Sequence, residues 1–228
     1  MAYTQHKSIV SPPGVAVWPH LSTPDAFLGN ITYNTKLILD PADTDVQAYV
    51  AAVDAACKAA YDAGIADIKT QLSEATGKKK ADLKAAIDNM VMHKPYTPSY
   101  SEDGEPDGKL VFNFKRTAEG IYKTGRKAGE YWKAKIQLID AAKVPIPSGV
   151  NIWGGTTMRV KAEMVAFSMT GTGKAGISMR LAAVQIIDLV SGGGESDTSG
   201  FDMEEGYSAN NATSDLSSKE EAPEDEDF

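Results

Sequence analysis

A single helical stripe interrupts an otherwise β-patterned chain, and that order limits the fold more than any other feature. Gly14-Val-Ala-Val-Trp-Pro-His-Leu21 is apolar and follows a Pro12-Pro13-Gly14 turn signal, and Ile31–Leu39 is rich in β-formers and stops at Asp40-Pro41. Ser22-Thr-Pro-Asp25 and Gly29-Asn30 read as the loop between them. Val46, Tyr49, Val50, Val53, Cys57, Ala60, Tyr61, Ile68 and Leu72 then recur at three- and four-residue spacing. Asp43 or Asp45 can cap this helix, which should fray at Gly64 or end near Thr76-Gly77. A second helix, about 79–91, stops at His93-Lys-Pro95, because proline lacks an amide and disfavours helix in its predecessor. After an acidic turn at 101–108, strand patterns return at 109–117, 131–140, 156–169 and 176–190. Six strands with one helical insertion, about 43–92, predict an all-β antiparallel barrel rather than an α/β sheet.

Charge divides the chain more sharply than its formal total of −8 suggests. Residues 195–228 carry 12 acids and one base, whereas 109–180 carry 13 bases and four acids. The composition changes at Gly192-Gly-Gly194, so the expected organisation is a globular domain over 1–191 and an acidic tail over 192–228. The tail holds too few large apolar residues to offset the entropy of ordering and should be disordered. An acidic tail on a body with one basic half suggests nucleic-acid binding.

Other classes are disfavoured. No apolar run approaches the roughly 18 residues that span a bilayer, so no membrane association is expected. The first residues lack a basic start and apolar h-region, which points to a cytoplasmic protein. One cysteine, Cys57, excludes an internal disulfide, and its place on the helix stripe marks it as core. Gly171-Thr-Gly-Lys174 lacks the spacing of a phosphate loop, and His6, His20 and His93 lie apart without ligand-spaced partners. No catalytic constellation, metal or cofactor is expected.

Alternation places cations on outer strand faces. In 156–169, Met158, Val160, Ala162, Met164 and Ala166 form a core face, while Arg159, Lys161, Glu163, Val165 and Phe167 point outward. In 131–140, Trp132, Ala134, Ile136 and Leu138 face in, and Lys133, Lys135 and Gln137 face out. Phe112 and Phe114 face in, opposite Asn113 and Lys115; Arg116, Lys174 and Arg180 add charge. Cations along a strand path with an aromatic on which a base stacks suit single-stranded nucleic acid. A solvated, lysine-rich sheet face is the competing reading. Trp18, Trp132 and Trp153 read as core or loop-packing residues.

Several segments, in order, resemble the single-stranded DNA-binding protein family of T-odd short-tailed phages. Ser22-Thr-Pro-Asp25 lies where that family has Lys-Pro-Asp; Tyr33 lies in the second strand, and the 46–61 helix matches an Ala-rich helix. Phe112-Asn-Phe-Lys115 resembles Phe-Lys-Phe-Lys, with Asn113 in place of a lysine. Val144-Pro-Ile146 with Arg159-Val-Lys161 resembles Val-Pro-Ile and Lys-Val-Lys. Gly192-Gly-Gly-Glu195 and Asp227-Phe228 match the tail's start and end. The resemblance implies an OB-fold barrel, a homodimer, and single-stranded DNA binding through Lys36, Lys115, Arg159 and Lys161, to which the charge pattern adds Arg116, Lys133, Lys135, Lys174 and Arg180. Lys36 occupies a family position that differs in residue type, and Phe167 falls where the family has a stacking Tyr. The tail, through Glu224, Asp225, Glu226, Asp227 and Phe228, would compete for the DNA groove and engage the phage polymerase and helicase-primase.

The expectation is therefore a non-catalytic single-stranded DNA-binding protein of phage replication, recombination and repair. An acidic-tailed interaction protein or DNA mimic, without single-strand affinity of its own, is the alternative.

Overall fold

Apolar and polar residues alternate on both sides of the helical insertion, and both flanks fold as strands. The computed structural model describes residues 7–101 and 103–190. The chain divides into units Met1–Gly192 and Gly193–Phe228, and the acidic tail with Phe228 lies outside the described residues. Strands β1 (Lys7–Val10), β2 (Gly14–Phe27) and β3 (Asn30–Leu39) precede helices α1 (Thr44–Glu74) and α2 (Gly77–Asp88). There follow β4 (Val91–His93), β5 (Tyr96–Tyr100), β6 (Pro106–Thr117), β7 (Glu119–Ile121), β8 (Tyr131–Lys133), β9 (Gln137–Ile139), β10 (Thr157–Met169) and β11 (Lys174–Asp188).

Five of these close a barrel in the order β10-β2-β3-β6-β11, with β10 pairing β11 along nearly its whole length. Every pair in the ring is antiparallel except β6–β11. Counting only the ring strands, the order is 1-2-3-5-4-1, an OB-type barrel with the helices inserted between its second and third strands. The expected antiparallel barrel thus closes through one parallel pair. The cause is the β10–β11 hairpin, which brings β11 back alongside β6 in the same direction.

Period-two side chains fill the interior. Leu37 lies opposite Phe112, and both are fully buried. Met158, Val160, Ala162 and Met164 from β10 meet Met179 and Leu181 from β11 in the same core. Burying each such large side chain contributes about 1.5–3 kcal/mol. Val46, Tyr49, Val53, Cys57 and Ala60 from α1 join this core, with the Tyr49 and Phe112 rings 5.2 Å apart. Asp43 caps α1 by accepting a 2.7 Å hydrogen bond from the amide of Asp45.

Three expectations change. Ser22–Asp25 is not a loop but lies within β2, which runs to Phe27. Of the two expected helix ends, α1 stops at Glu74, beside Thr76-Gly77, and does not fray at Gly64: a Cβ there would stand 2.8 Å from Ser168 Oγ and 3.2 Å from Ala175 Cβ, so the glycine lets α1 pack closely on β10 and β11. The single strand expected over 131–140 is two. β8 leaves the barrel to pair with β7, and β9 pairs with β11. Trp132 accordingly faces Gly120 across the small β7–β8 ribbon instead of entering the barrel core, whereas Ile136 and Leu138 do pack against that core.

Candidate nucleic-acid interface

The alternation that buries Phe112 and Phe114 forces Asn113 and Lys115 outward on β6. Strand register then sets their neighbours. Lys36 on β3 is opposite Asn113, and Asn34 is opposite Lys115. Across the parallel pair, Lys115 is beside Arg180 of β11, which in turn is opposite Glu163 of β10. Asn34, Lys115, Arg180 and Glu163 therefore form one row across four strands of the outer barrel surface.

A groove of about 900 Å³ runs over the middle of this row, Lys115 and Arg180. Its walls are the β4–β5 connection, with His93 and Lys94, and the β7–β8 ribbon, with Tyr122, Trp132 and Lys133. Its floor carries Asn113, Lys115, Arg116, Ser178 and Arg180. Five cations thus line it, and among the described residues no carboxylate does. A smaller depression of about 290 Å³ shares Asn113 and Lys115 with the groove and adds Lys36, Asn34, Asp25 and Phe27.

The cations differ in how freely they can meet a ligand. The side chains of Lys36 and Lys115 have no hydrogen-bond or ion-pair partner among the described residues. Arg180 stands 3.5 Å from Glu163, and Lys133 stands 3.6 Å from Glu119. Arg116 donates a 3.4 Å hydrogen bond to the carbonyl of Leu181. Lys94 donates to the Tyr96 hydroxyl and to Asp54, each at 2.9 Å, and Tyr96 donates to Asp54 at 2.7 Å. The bonds to Tyr96 and Asp54 hold the Lys94 ammonium above its ordinary range. Glu119 also accepts from Tyr131, and that bond is the main reason the phenol is pushed up to about 12. Pairing on an exposed surface is weak, so a phosphate can compete for these cations.

Aromatic rings stand beside the charge. Trp132 packs over Gly120, whose Cβ, if it had one, would lie 3.0 Å from the indole. Tyr122 is 6.4 Å from that indole, centroid to centroid, and Lys127 lies 5.9 Å over the Tyr122 ring. Phe167 is half-buried on the outer parity of β10, with its ring 5.3 Å from His93 at the groove wall.

The structure therefore brings Lys115, Arg116, Lys133 and Arg180 into one groove, with Lys36 in the adjoining depression. Phe167 reaches the wall only through His93. Arg159 and Lys161 do point outward from β10, but opposite Gln185 and Ala183, outside the groove lining. Lys174 begins β11 opposite Met169, and Lys135 lines a separate depression with Tyr33 and Ile136. Sequence reasoning missed Lys94, Tyr122 and the groove position of Trp132. No local signal placed Trp132: Gly120 leaves room for the indole, but only the β7–β8 pairing sets the two opposite each other. Trp18 and Trp153 are not core residues either, being 73% and 51% exposed. Glu224, Asp225, Glu226, Asp227 and Phe228 lie outside the described residues.

A family model described as single-stranded DNA-binding protein, bacteriophage T7, matches residues 25–189. No curated protein sequence matches. Among solved structures, gp2.5, a single-stranded DNA-binding protein encoded by bacteriophage T7, is 22% identical with a TM-score of 0.62, covering 90% of this chain and 100% of that one. The single-stranded DNA-binding protein from bacteriophage Enc34, in complex with single-stranded DNA, is 14% identical with a TM-score of 0.45, covering 82% of this chain and 89% of that one. With its family match spanning most of the barrel and insertion, the chain belongs to the family of the bacteriophage T7 single-stranded DNA-binding protein.

Proposed function

We propose that this protein binds single-stranded DNA along the groove over β6 and β11, without catalysis, during phage replication, recombination and repair. One observation carries the reading: Lys115 and Arg180 stand side by side on the floor of a groove lined by cations and aromatics. Phosphates meet the cations and release counterions, and bases stack on Trp132 and Tyr122. Neither contact reads base identity, so binding tolerates any sequence. Family membership supports the assignment.

The remaining parts rest on composition and on the resemblance. Arg159, Lys161, Lys135, Lys174 and Phe167 extend the contact beyond the groove in longer complexes. The acidic tail occupies the groove when DNA is absent and, when displaced, presents Phe228 to the phage polymerase and helicase-primase. The protein acts as a homodimer in the cytoplasm of the infected host.

The test is a titration of the full chain with single-stranded and duplex oligonucleotides of equal length at several salt concentrations. Single strands should bind more tightly, with log K falling linearly against log salt. Removing residues 195–228 should raise single-strand affinity most at low salt, because a tethered polyanion no longer competes. Absence of single-strand binding with and without the tail would favour the acidic interaction protein instead.

A further inference from the structure

We propose that the β2–β3 hairpin tip, Phe27 with Leu28, is a second base-stacking element, which takes the unpaired bases of a strand that leaves the groove past Lys36. The inference rests on the groove being the DNA path.

The tip is built against local preference. Phe27 pairs with Asn30, leaving a two-residue loop of Leu28 and Gly29 with φ of 48° and 76°. Positive φ at both central residues is the type I′ turn, which Asn-Gly or Asp-Gly fills without strain. A leucine there is strained by its Cβ. No packing calls for it, since Leu28 is 83% exposed and Phe27 is 68% exposed. Large apolar side chains are thus held out in water at a position where a polar residue would fold better. Strain kept at an exposed position points to a function for that position.

Location names the ligand. Phe27 lines the same depression as Lys36, Asn113 and Lys115, and the last two also line the main groove. A backbone that follows Arg180, Lys115 and Lys36 arrives at Phe27. Asp25 also lines this depression and repels phosphate. An apolar ring beside a carboxylate suits a base instead, with its face on Phe27 and an exocyclic amine within reach of Asp25. Three features separate this site from a protein-docking patch: it is small, it is continuous with the cationic row, and its carboxylate matches base amines.

The test uses the full chain with Phe27→Ala and Phe27→Trp, and two labelled oligonucleotides of equal length, one of cytosine, whose exocyclic amine can reach Asp25, and one abasic throughout. Phe27→Ala should weaken binding of the base-containing strand by about 5- to 150-fold, the effect of losing one stacked base. It should change binding of the abasic strand less than twofold, and Phe27→Trp should retain the affinity. Because the ring is exposed, the melting temperature should not move. Equal losses on both strands, or no loss on either, would overturn the stacking role. If Lys115→Ala weakens binding while Phe27→Ala does not, the tip falls and the groove stands. If the wild-type chain binds no single-stranded DNA, both fall. Loss of binding to a replication protein alone would make the tip a protein contact.

Discussion

Lys115 of β6 and Arg180 of β11 are partners in register across the one parallel pair of the barrel ring, and both point outward into the same groove. Two cations so placed repel each other in the free protein and are stabilised together when a phosphate sits between them. Lys115 has no partner among the described residues, whereas Arg180 shares its charge with Glu163 at 3.5 Å. Lys115→Ala should therefore cost more affinity than Arg180→Ala. Each should lower the salt slope by about 0.7 unit if it contacts one phosphate of a single strand. Titrations at four or more salt concentrations would measure both effects, and an unchanged slope for Lys115→Ala would move the DNA path off β6.

Trp132 should report binding optically. Its indole lines the groove over Gly120 instead of filling the barrel. Trp132→Ala should lose about 1–3 kcal/mol of single-strand affinity. In the wild type, DNA should quench tryptophan emission, and Trp132→Phe should remove most of that quench while leaving the quench at Trp18 and Trp153 unaffected. A full quench in Trp132→Phe would place stacking on another indole.

Gly64 should tolerate no side chain. Alanine ordinarily favours a helix interior by about 1 kcal/mol over glycine. Here the added methyl would meet Ser168 Oγ at 2.8 Å and Ala175 Cβ at 3.2 Å. Overpacking of this kind costs about 1–3 kcal/mol, so Gly64→Ala should lower the melting temperature against the propensity trend. Ser168→Gly in the same chain should recover much of the loss, and thermal denaturation of the single and double variants measures that coupling.

Cys57 should be inert in the folded protein. It is fully buried, and burial, with Asp54 adding to the effect, pushes the thiol up to about 11. A raised pKa leaves the protonated, unreactive form dominant at pH 8. Iodoacetamide should therefore label the thiol at pH 8 only after denaturant unfolds the chain. Labelling at a rate unaffected by denaturant would show that α1 opens readily from the barrel.

The order of elements was legible because it depends on local periodicity. Thr35 and Leu37 flank Lys36, Phe112 and Phe114 flank Asn113, and the 46–72 stripe recurs at helical spacing, whatever the rest of the chain does. The outward direction of Lys36, Lys115, Arg159, Lys161 and Arg180 follows from the same alternation, and the structure places each of them there or on an exposed surface. Which cations meet was not legible. Lys115 and Arg180 are 65 residues apart in sequence, and no local pattern says that β11 returns parallel to β6. The closure of the barrel decides it, and so separates Arg180 in the groove from Arg159 and Lys161 outside it. The same applies to Trp132, whose segment obeys the period of a core strand but pairs with β7 outside the barrel, so that its indole lies over Gly120. Alternation specifies two faces for every strand, but only the pairing of distant strands specifies what each face touches.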